Sequence, residues 1–327
     1  MKVLITGAAG FIGSHLAEKL SLFGYEVWGI DNYSSYYSPS LKKANTNLLN
    51  QKDVQVINGD LRDPKLYQNL PLNFQFIFHL AAHPGNDINS SYDDYFSNNL
   101  DATKLLTDFA QKNKVLKHFF YISTSSVYGL NATYSEEQVP QPISWYGISK
   151  LAAEQLVLSK ARNNSFNASS LRLYSVYGPR ERPDKLFSKL IHCSINHLPF
   201  TLYHGSEKHI RSFTYIDDIT QGIYQALKNF SKVNGEIINL GCEEEFSTRE
   251  GISLVENITG KKIELIDLPA RPGDQLHTRA ITNKAALLLD YKPVTSLKDG
   301  VKYQLDWYIS ESRDSEALRP NAIEQGD

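Results

Sequence analysis

The sequence predicts an α/β fold in which helices cover both faces of a doubly wound parallel sheet, with a smaller C-terminal α/β cap. Up to about residue 178, short apolar segments alternate with longer segments that have the spacing of amphipathic helices. Several apolar segments are continuous rather than alternating, as in FQFIFHLAA (74–82), which is typical of strands buried on both faces. Both patterns favour parallel strands joined by helical crossovers.

The elements of this first part can be assigned in order from apolar runs, helical spacing and glycine punctuation. The predicted strand segments are KVLITG (2–7), YEVWGID (25–31), VQVINGDLRD (54–63), FQFIFHLAA (74–82), HFFYIST (118–124) and SSLRLYSVYG (169–178). The predicted helices are SHLAEKLSLFG (14–24), with Gly24 as its stop, a polar Asn-rich segment before residue 54, YFSNNLDATKLLTDFAQKN (95–113) and YGISKLAAEQLVLSKARN (146–163).

The regular alternation of strand-like and helix-like segments is lost after residue 178. GPRERPDK (178–185) reads as a charged, proline-rich loop, and FTYIDDITQGIYQALKN (213–229) predicts a turn that leads into a helix. GEIINLG (235–241) predicts a further strand, so some later segments are expected to return to the sheet. The final residues, 310–327, are polar and aperiodic and predict a tail.

Composition excludes several classes of function. With 34 Lys and Arg against 36 Asp and Glu, the formal net charge is −2, which favours neither a nucleic-acid partner nor an anionic membrane. Cys193 and Cys242 lie too far apart to suggest a disulfide scaffold or a zinc site, so no metal is predicted. The chain contains no apolar run long enough for a membrane span and no signal-peptide pattern at its start, so we expect a cytoplasmic protein.

TGAAGFIG places Gly7, Gly10 and Gly13 between the first strand and the first helix. Glycines at this spacing permit a tight turn, a close approach of backbone to a pyrophosphate and tight packing of helix against strand. The start of the helix offers free amides to the phosphates. Asp31 ends the second strand, where its carboxylate can accept from both ribose hydroxyls and would repel a 2′-phosphate. The pattern predicts a Rossmann-type site for NAD rather than NADP, with Asp60 as a neighbour of the adenine.

WYGISK sets Tyr146 and Lys150 four residues apart on one face of a helix. A phenol with a pKa near 10 is a poor base at neutral pH. A neighbouring ammonium group and the positive nicotinamide ring are expected to lower the pKa of Tyr146. A surface pair is the default interpretation of such a spacing, but the upstream glycine loop favours a catalytic pair.

Taken together, these motifs resemble those of the extended short-chain dehydrogenase/reductase family. The resemblance rests on TGxxGxxG, the strand-ending Asp31, GDLRD, HLAA, a Ser/Thr-rich strand that ends in VYG, and YxxxK. SVYGPRERPD, RSFTYIDDI, NLG and RPGD are similar to segments of its nucleotide-sugar epimerases and dehydratases. The resemblance extends from Met1 to about Trp307. It implies an NAD-binding domain over 1–178, a mainly substrate-binding cap over 179–309 and a polar tail over 310–327.

The resemblance also implies roles for individual residues. Thr124 matches the catalytic Ser/Thr and Tyr146 the base, while Lys150 and Asn99 support the proton path and the cofactor. The positions that match cofactor-binding residues are Gly7, Gly10, Phe11, Ile12, Gly13, Asp31, Asn32, Asp60, Leu61, Leu80, Ala81, Ala82, Asn99, Tyr146 and Lys150. The positions that match substrate-binding residues are Ser125, Ser126, Ser175, Arg182, Arg211, Arg271 and Asp274, with Arg211 and Arg271 on the diphosphate.

In the family that the sequence resembles, the sugar is oxidised at C4 and NAD takes the hydride. An epimerase then lets the 4-keto sugar rotate and take the hydride back on its other face. The 4,6-dehydratases follow the catalytic Thr with Asp-Glu, and the decarboxylases of UDP-glucuronate carry a Glu at the second position. This chain has Ser125 and Ser126 there, which disfavours a lyase and predicts an isomerase. A net dehydrogenase and a non-catalytic NAD sensor are the further alternatives.

Among epimerases, NYSSYYSPSLKKAN after Asp31 and the segment RERPD resemble the UDP-glucuronate 4-epimerases. HPGNDIN (83–89) departs from that group, as do Ser175 and Ile281, so UDP-glucose/galactose and UDP-N-acetylhexosamines remain open as substrates. For His83, which lies near the active site by its position in the motif, a packed loop histidine is the favoured interpretation and a contact with the substrate is the alternative. The family further implies a homodimer that associates through helices at roughly 95–112 and 146–162.

Overall fold

The computed structural model describes residues 1–85, 90–270 and 274–314, with side chains described as far as residue 311. Its strands, in chain order, are β1 (Lys2–Thr6), β2 (Glu26–Asp31), β3 (Gln55–Asn58), β4 (Phe76–His79), β5 (His118–Thr124), β6 (Asn131–Ala132), β7 (Ala168–Leu173), β8 (Val176–Tyr177), β9 (Phe200–Tyr203), β10 (Ile210–Arg211), β11 (Thr214–Tyr215), β12 (Ile237–Leu240), β13 (Phe246–Ser247), β14 (Leu265–Leu268) and β15 (His277–Thr278). Its helices are α1 (Phe11–Leu22), α2 (Pro39–Asn50), α3 (Tyr92–Phe96), α4 (Ala102–Lys112), α5 (Trp145–Arg162), α6 (Leu186–Asn196), α7 (Ile216–Lys228), α8 (Thr248–Thr259), α9 (Asn283–Leu289) and α10 (Leu297–Asp314).

Seven strands form one parallel sheet in the order β12-β7-β5-β4-β1-β2-β3. The predicted doubly wound α/β fold is thereby confirmed. The direction of winding reverses between β1 and β4, and ligands of such sheets bind at the carboxyl ends of the strands beside that reversal. β1 ends at Thr6, immediately before the glycine loop, so the loop lies at the reversal.

The sheet is buried on both faces, and its central strands contain unbroken apolar runs, Val3–Ile5 in β1 and Phe76–Phe78 in β4. Ile5 and Phe78 belong to the hydrophobic cluster on one face, whereas Leu4 and Ile77 belong to the cluster on the other. Successive side chains of a strand point to opposite faces, so an unbroken apolar run is what a doubly covered strand needs.

Two predicted elements are interrupted. The segment predicted as one strand over 169–178 forms β7 and then β8, and β8 pairs with β11 outside the seven-stranded sheet. The break falls at Ser175, whose φ of 26° is incompatible with a continuous strand. The segment predicted as one helix over 95–113 contains a π-helical turn over Ser97–Asp101 before α4 begins.

The later part of the chain forms a second core around α6, α8 and α10. Leu190, Ile252 and Leu305 are buried in it, one from each of these helices. β12 lies apart from this core, because it returns to the large sheet and pairs with β7. α10 includes Asp314, so residues 310–314, which the sequence predicts to be part of the tail, are helical.

Within the described ranges, no helix is both long and apolar enough to cross a membrane. Both cysteines have free thiols, Cys193 buried and Cys242 partly exposed. Across the same ranges, no three His, Cys, Asp or Glu side chains are grouped as a metal ion would require.

Candidate active site

The glycine loop leaves no room for a side chain at Gly7 or Gly13. Gly7 has a φ of 70°, and its amide donates to the carbonyl of Ile30 at 2.8 Å, which turns the chain sharply out of β1. A Cβ on Gly13 would lie 2.1 Å from the carbonyl oxygen of Gly7. The loop and the first turn of α1 therefore pack backbone against backbone.

The start of α1 is open to an anion. Gly10 occupies the N-cap position, and no side chain of the described residues caps the helix there. Phe11, Ile12 and Gly13 form the first turn and line a cavity of about 910 Å³. Their uncapped amides, at the positive end of the helix dipole, suit a pyrophosphate.

Asp31 is held beside this loop by two backbone amides. Its Oδ2 accepts from Ala9 at 3.1 Å and its Oδ1 accepts from Tyr33 at 2.9 Å. The carboxylate is 7% exposed and lines the same cavity. Since each carboxylate oxygen can accept twice, Asp31 retains capacity for the two hydroxyls of a ribose.

Asp60 lies next to it in a polar cluster. Asn32 donates to Asp60 at 3.3 Å, and Arg62 forms an ion pair with it at 2.6 Å. Hydrogen bonding from Arg62 lowers the pKa of Asp60 to about 2. Arg62 was not selected from the sequence although it lies in GDLRD, because an arginine in a loop usually forms a solvated surface charge.

The apolar positions predicted for the cofactor lie in the wall of the same cavity. They are Leu61, Leu80, Ala81 and Ala82. A Cβ on Gly7 would come within 2.9 Å of the amide nitrogen of Ala81, so the segment after β4 packs directly on the glycine loop. This half of the cavity combines the uncapped amides of α1, a loop with no room for side chains at its glycines, and the carboxylate of Asp31 at the end of β2. These features fit a dinucleotide.

Tyr146 and Thr124 meet at the other end of the cavity. Tyr146 lies in the first turn of α5, which Ser144 caps by accepting from the amide of Gly147. The hydroxyl of Thr124, at the end of β5, is hydrogen-bonded to the phenol. Thr124 Oγ1 also accepts from the amide of Ser126 at 3.2 Å, which fixes its side chain.

The predicted lowering of the pKa of Tyr146 is not found in this structure. Burial raises this pKa, while the hydrogen bond with Thr124 and the charge of Arg182 oppose the rise. Lys150 donates through Nζ to the carbonyl of Ile122 at 2.6 Å and lies 4.2 Å from the ring centroid of Tyr121. Burial also lowers the pKa of Lys150 to about 7, so its ammonium is weakened as an electrostatic partner of the phenol.

A loop after β4 packs on the ring of Tyr146. A Cβ on Gly85 would lie 2.3 Å from this ring, so only glycine permits the contact. Asn99 secures the loop: its Oδ1 accepts from the amide of His83 at 2.6 Å, and its Nδ2 donates to the carbonyl of His83 at 3.2 Å. Asn99 also donates to Ser149 at 2.9 Å.

Asn99 is 1% exposed and lies behind the cavity wall. Its observed partners belong to the loop and to α5, whereas the sequence assigned it to the cofactor and the proton path. The imidazole of His83 packs edge-on against Tyr36 and Tyr95 and hydrogen-bonds to Ser90 at 2.7 Å. It is a packed ring that also borders the cavity.

The structure brings the predicted substrate residues to the same cavity from distant parts of the chain. They are Ser125, Ser126, Ser175, Arg182, Arg211 and Asp274. Arg271 lies outside the described residues. Arg211 donates to the carbonyl oxygens of Ile210 and Gln275, which fixes its guanidinium at the cavity edge.

Tyr36 and Gln275 also line this half of the cavity, and the sequence predicts no role for either of them. Arg182 forms an ion pair with Asp184 at 2.9 Å, and its guanidinium lies 5.0 Å from the ring centroid of Tyr36. Gln275 donates to the carbonyls of Ser125 at 3.3 Å and Gly129 at 2.9 Å, tying the segment after Asp274 to the turn after β5. Tyr36 lies in the segment NYSSYYSPSLKKAN, which resembles the UDP-glucuronate 4-epimerases but predicts no partner for this ring, and Gln275 occurs in no motif that the sequence offered.

Comparison with known proteins agrees with this geometry. The family model described as the NAD dependent epimerase/dehydratase family matches residues 3–241. The crystal structure of UDP-glucuronic acid 4-epimerase from Bacillus cereus, in complex with UDP-glucuronic acid and NAD, superposes with a TM-score of 0.88 and 38% identity, covering 95% of this chain and 100% of that one.

Two curated relatives span nearly the whole chain. YtcB of Bacillus subtilis (strain 168), described as an uncharacterized UDP-glucose epimerase, is 37% identical over 317 residues, which is 95% of this chain and 98% of the relative. UDP-glucuronate 4-epimerase 6 of Arabidopsis thaliana is 33% identical over 330 residues, 94% of this chain and 72% of the relative.

The fold and the site thus define a dinucleotide-dependent enzyme with a Tyr-Lys pair. The chain belongs to the NAD dependent epimerase/dehydratase family. The predicted family is confirmed, and with it the prediction of NAD as the cofactor.

Proposed function

We propose that the protein is an NAD-dependent 4-epimerase of UDP-glucuronate. The observation that carries the substrate assignment is that Arg182 lies close enough to Tyr146 for its charge to act on the phenol, in a cavity that Ser125 and Ser126 also line. A guanidinium and two hydroxyls are suitable donors to a carboxylate on C6 of the sugar. Residues 125–128, SSVY, follow Thr124 without an acid that could abstract a proton from C5.

In the proposed mechanism, Tyr146 removes the proton of the 4-hydroxyl group. The chemistry supplied by bound NAD is the acceptance of a hydride from C4 and its return. Loss of the proton and the hydride leaves a 4-keto sugar. Thr124, hydrogen-bonded to the phenol, stabilises its deprotonated form, and the positive charge of Arg182 acts in the same direction. On return of the hydride to the opposite face, Tyr146 gives the proton back.

The chain's own residues account for how the sugar can turn while the nucleotide is held. We assign the diphosphate of UDP to Arg211, whose guanidinium is fixed by two backbone carbonyls, together with Arg271. Asp274 and Ser175 complete the contacts to nucleoside and sugar. The dinucleotide occupies the glycine loop, Asp31, Asn32 and Asp60, and Gly85 over the Tyr146 ring limits access of water.

A UDP-glucose 4-epimerase is the second candidate, and one contact favours it. Asp184 pairs with Arg182 at 2.9 Å and partly neutralises its charge. A site with a neutralised arginine would accept a C6 hydroxyl, to which Ser125 and Ser126 also donate.

Proton NMR on UDP-glucuronate, UDP-glucose and UDP-N-acetylglucosamine, each without added NAD, distinguishes the candidates. The proposal requires a C4 epimer from UDP-glucuronate. Release of CO₂ or a 4-keto-6-deoxy product would contradict it.

We also propose a cytoplasmic homodimer, with an NAD-binding domain over 1–178 and a mainly substrate-binding cap over 179–309. Two free thiols agree with a reducing compartment. The helices expected at the dimer contact are α4 with the turn before it and α5. Light scattering after size exclusion measures the assembly state, and a monomeric mass would remove this part of the proposal.

A further inference from the structure

Three consecutive charged residues in the loop after β8 have three separate sets of partners. They are Arg180, Glu181 and Arg182, and only Arg182 has been assigned to the sugar. Arg180 pairs with Glu18 on α1, which belongs to the nucleotide half of the fold. Glu18 is in turn paired with Lys52 at 2.7 Å.

Glu181 is bonded to helices of the cap and also lines the cavity. Its Oε2 accepts from Ser188 on α6 at 3.1 Å and from Gln304 on α10 at 2.9 Å. Gln304 also donates to Ser188 at 3.0 Å, so the three side chains form a closed triangle. Glu181 is 7% exposed and Gln304 is 1% exposed, which excludes a solvated surface role for this cluster.

The backbone of the loop is set by these contacts. Arg180 has a φ of 66°, in the left-handed region that few non-glycine residues adopt. Such a conformation persists only where surrounding contacts determine it. The side chain of Arg180 is bonded to α1, whereas the side chain of the next residue, Glu181, is bonded to α6 and α10. The two neighbouring residues are therefore held by different layers of the molecule.

We propose that Arg180 and Glu181 are positioning residues, which fix Arg182 in the cavity and thereby set the preference for a sugar with a C6 carboxylate. This inference rests on the proposed function. We assign neither residue a contact with the sugar. They act through Arg182, whose guanidinium is otherwise located by Asp184 and the ring of Tyr36. Because the two anchors reach different layers, the orientation of Arg182 depends on how the cap sits on the nucleotide half.

The test compares binding of UDP-glucuronate and UDP-glucose by calorimetry to the full-length, NAD-loaded protein. All variants carry Tyr146→Phe so that the ligands are not converted. Glu181→Ala and Arg180→Met are each expected to weaken UDP-glucuronate about tenfold and UDP-glucose less than about twofold. Glu181→Gln is the matched control: it keeps the shape and an accepting oxygen, and is expected to bind both ligands like the parent.

Adding Arg182→Met to each variant distinguishes a role in positioning Arg182 from a merely structural role. If the anchors act through Arg182, neither Glu181→Ala nor Arg180→Met weakens UDP-glucuronate further in that background. Additive losses, equal losses for both ligands, or a parent without preference for UDP-glucuronate would each overturn the inference. Arg180→Met, at the outer anchor, keeps the test decisive if Glu181→Ala fails to fold. Failure of the proposed function is visible separately, as absence of a C4 epimer from the wild-type protein by NMR.

Discussion

The two halves of the cavity are built in different ways. Most of the nucleotide half comes from one stretch, residues 2–31, in which β1, the glycine loop, α1 and β2 follow directly, and the segments after β3 and β4 complete it. The sugar half collects residues from across the chain, from the loop at His83 through Tyr146 to Arg211. The first half depends on the absence of side chains, and the second on the charges and hydroxyls that side chains carry. We therefore expect mutations in the nucleotide half to change stability and dinucleotide preference, and mutations in the sugar half to change turnover and sugar preference.

The largest effect is expected where the halves meet. Tyr146→Phe removes the proton acceptor and should lower kcat about 10³-fold, since general base catalysis contributes on this scale. NAD content of the purified variant should be unchanged, because the phenol is not needed to hold the dinucleotide. Turnover is measured by NMR with UDP-glucuronate, and NAD by absorbance after denaturation. Retained turnover would remove Tyr146 as the base.

In the nucleotide half, Gly13→Ala should destabilise the protein by about 3 kcal/mol, because its Cβ would lie 2.1 Å from a backbone carbonyl oxygen that cannot move aside. Gly24→Ala, beyond the other end of α1, is the matched control. It has a φ of 79° but no heavy atom within 4 Å of the added Cβ, so only backbone strain of about 1 kcal/mol is expected. Urea unfolding measures both. Equal losses in the free energy of unfolding for the two variants would show that close packing at the glycine loop is not what requires Gly13.

In the sugar half, Arg182→Met should lower kcat/KM for UDP-glucuronate about 30-fold, as expected for loss of a charge-assisted hydrogen bond. The same variant should change kcat/KM for UDP-glucose by less than about threefold, because a hydroxyl gains less from the guanidinium. Initial rates with both sugars check this. An equal loss for the two would favour the UDP-glucose reading of the site.

Asp31→Asn keeps the size of the side chain and one accepting oxygen but removes the charge. The preference for NAD over NADP should fall about tenfold, because repulsion of a 2′-phosphate is lost and the hydrogen bonds to ribose weaken. Fluorescence titration of both dinucleotides measures the ratio. An unchanged ratio would assign the discrimination between NAD and NADP to other charged residues that line the cavity, such as Arg62, which is paired with Asp60.

The smallest effect concerns pH. Burial raises the pKa of Glu181 from 4.5 to about 7, so the folded protein holds a proton that the unfolded chain has released. The associated stability is complete below pH 4.5 and is lost as pH rises through about 7. Glu181→Gln should remove this decline. Denaturant unfolding between pH 5 and 8 tests it, and parallel profiles for both proteins would contradict the shift.

Sequence reasoning succeeded best in the nucleotide half, for a physical reason. Gly7, Gly13 and Asp31 are required by local geometry, a turn, a close backbone approach and a strand end, and local geometry is encoded by nearby residues. The continuous apolar runs likewise predicted the buried parallel strands.

The rest depended on contacts that spacing does not encode. The pKa of Tyr146 is raised because burial outweighs its charged neighbours, and Lys150 is turned to the carbonyl of Ile122 rather than acting on the phenol. Asn99 was recognised by its motif, but its contacts with His83 come from a loop of unusual sequence. Ser175 ended a strand that its neighbours, Leu173 and Val176, would have continued.

In the proposed function, the two halves together perform a reversible oxidation at C4 of UDP-glucuronate without net redox change. The most direct measurement is proton NMR of UDP-glucuronate with the purified protein and no added NAD. We expect conversion to the C4 epimer, with no accumulation of NADH at 340 nm. Conversion of UDP-glucose alone, or accumulation of NADH in proportion to sugar consumed, would contradict it.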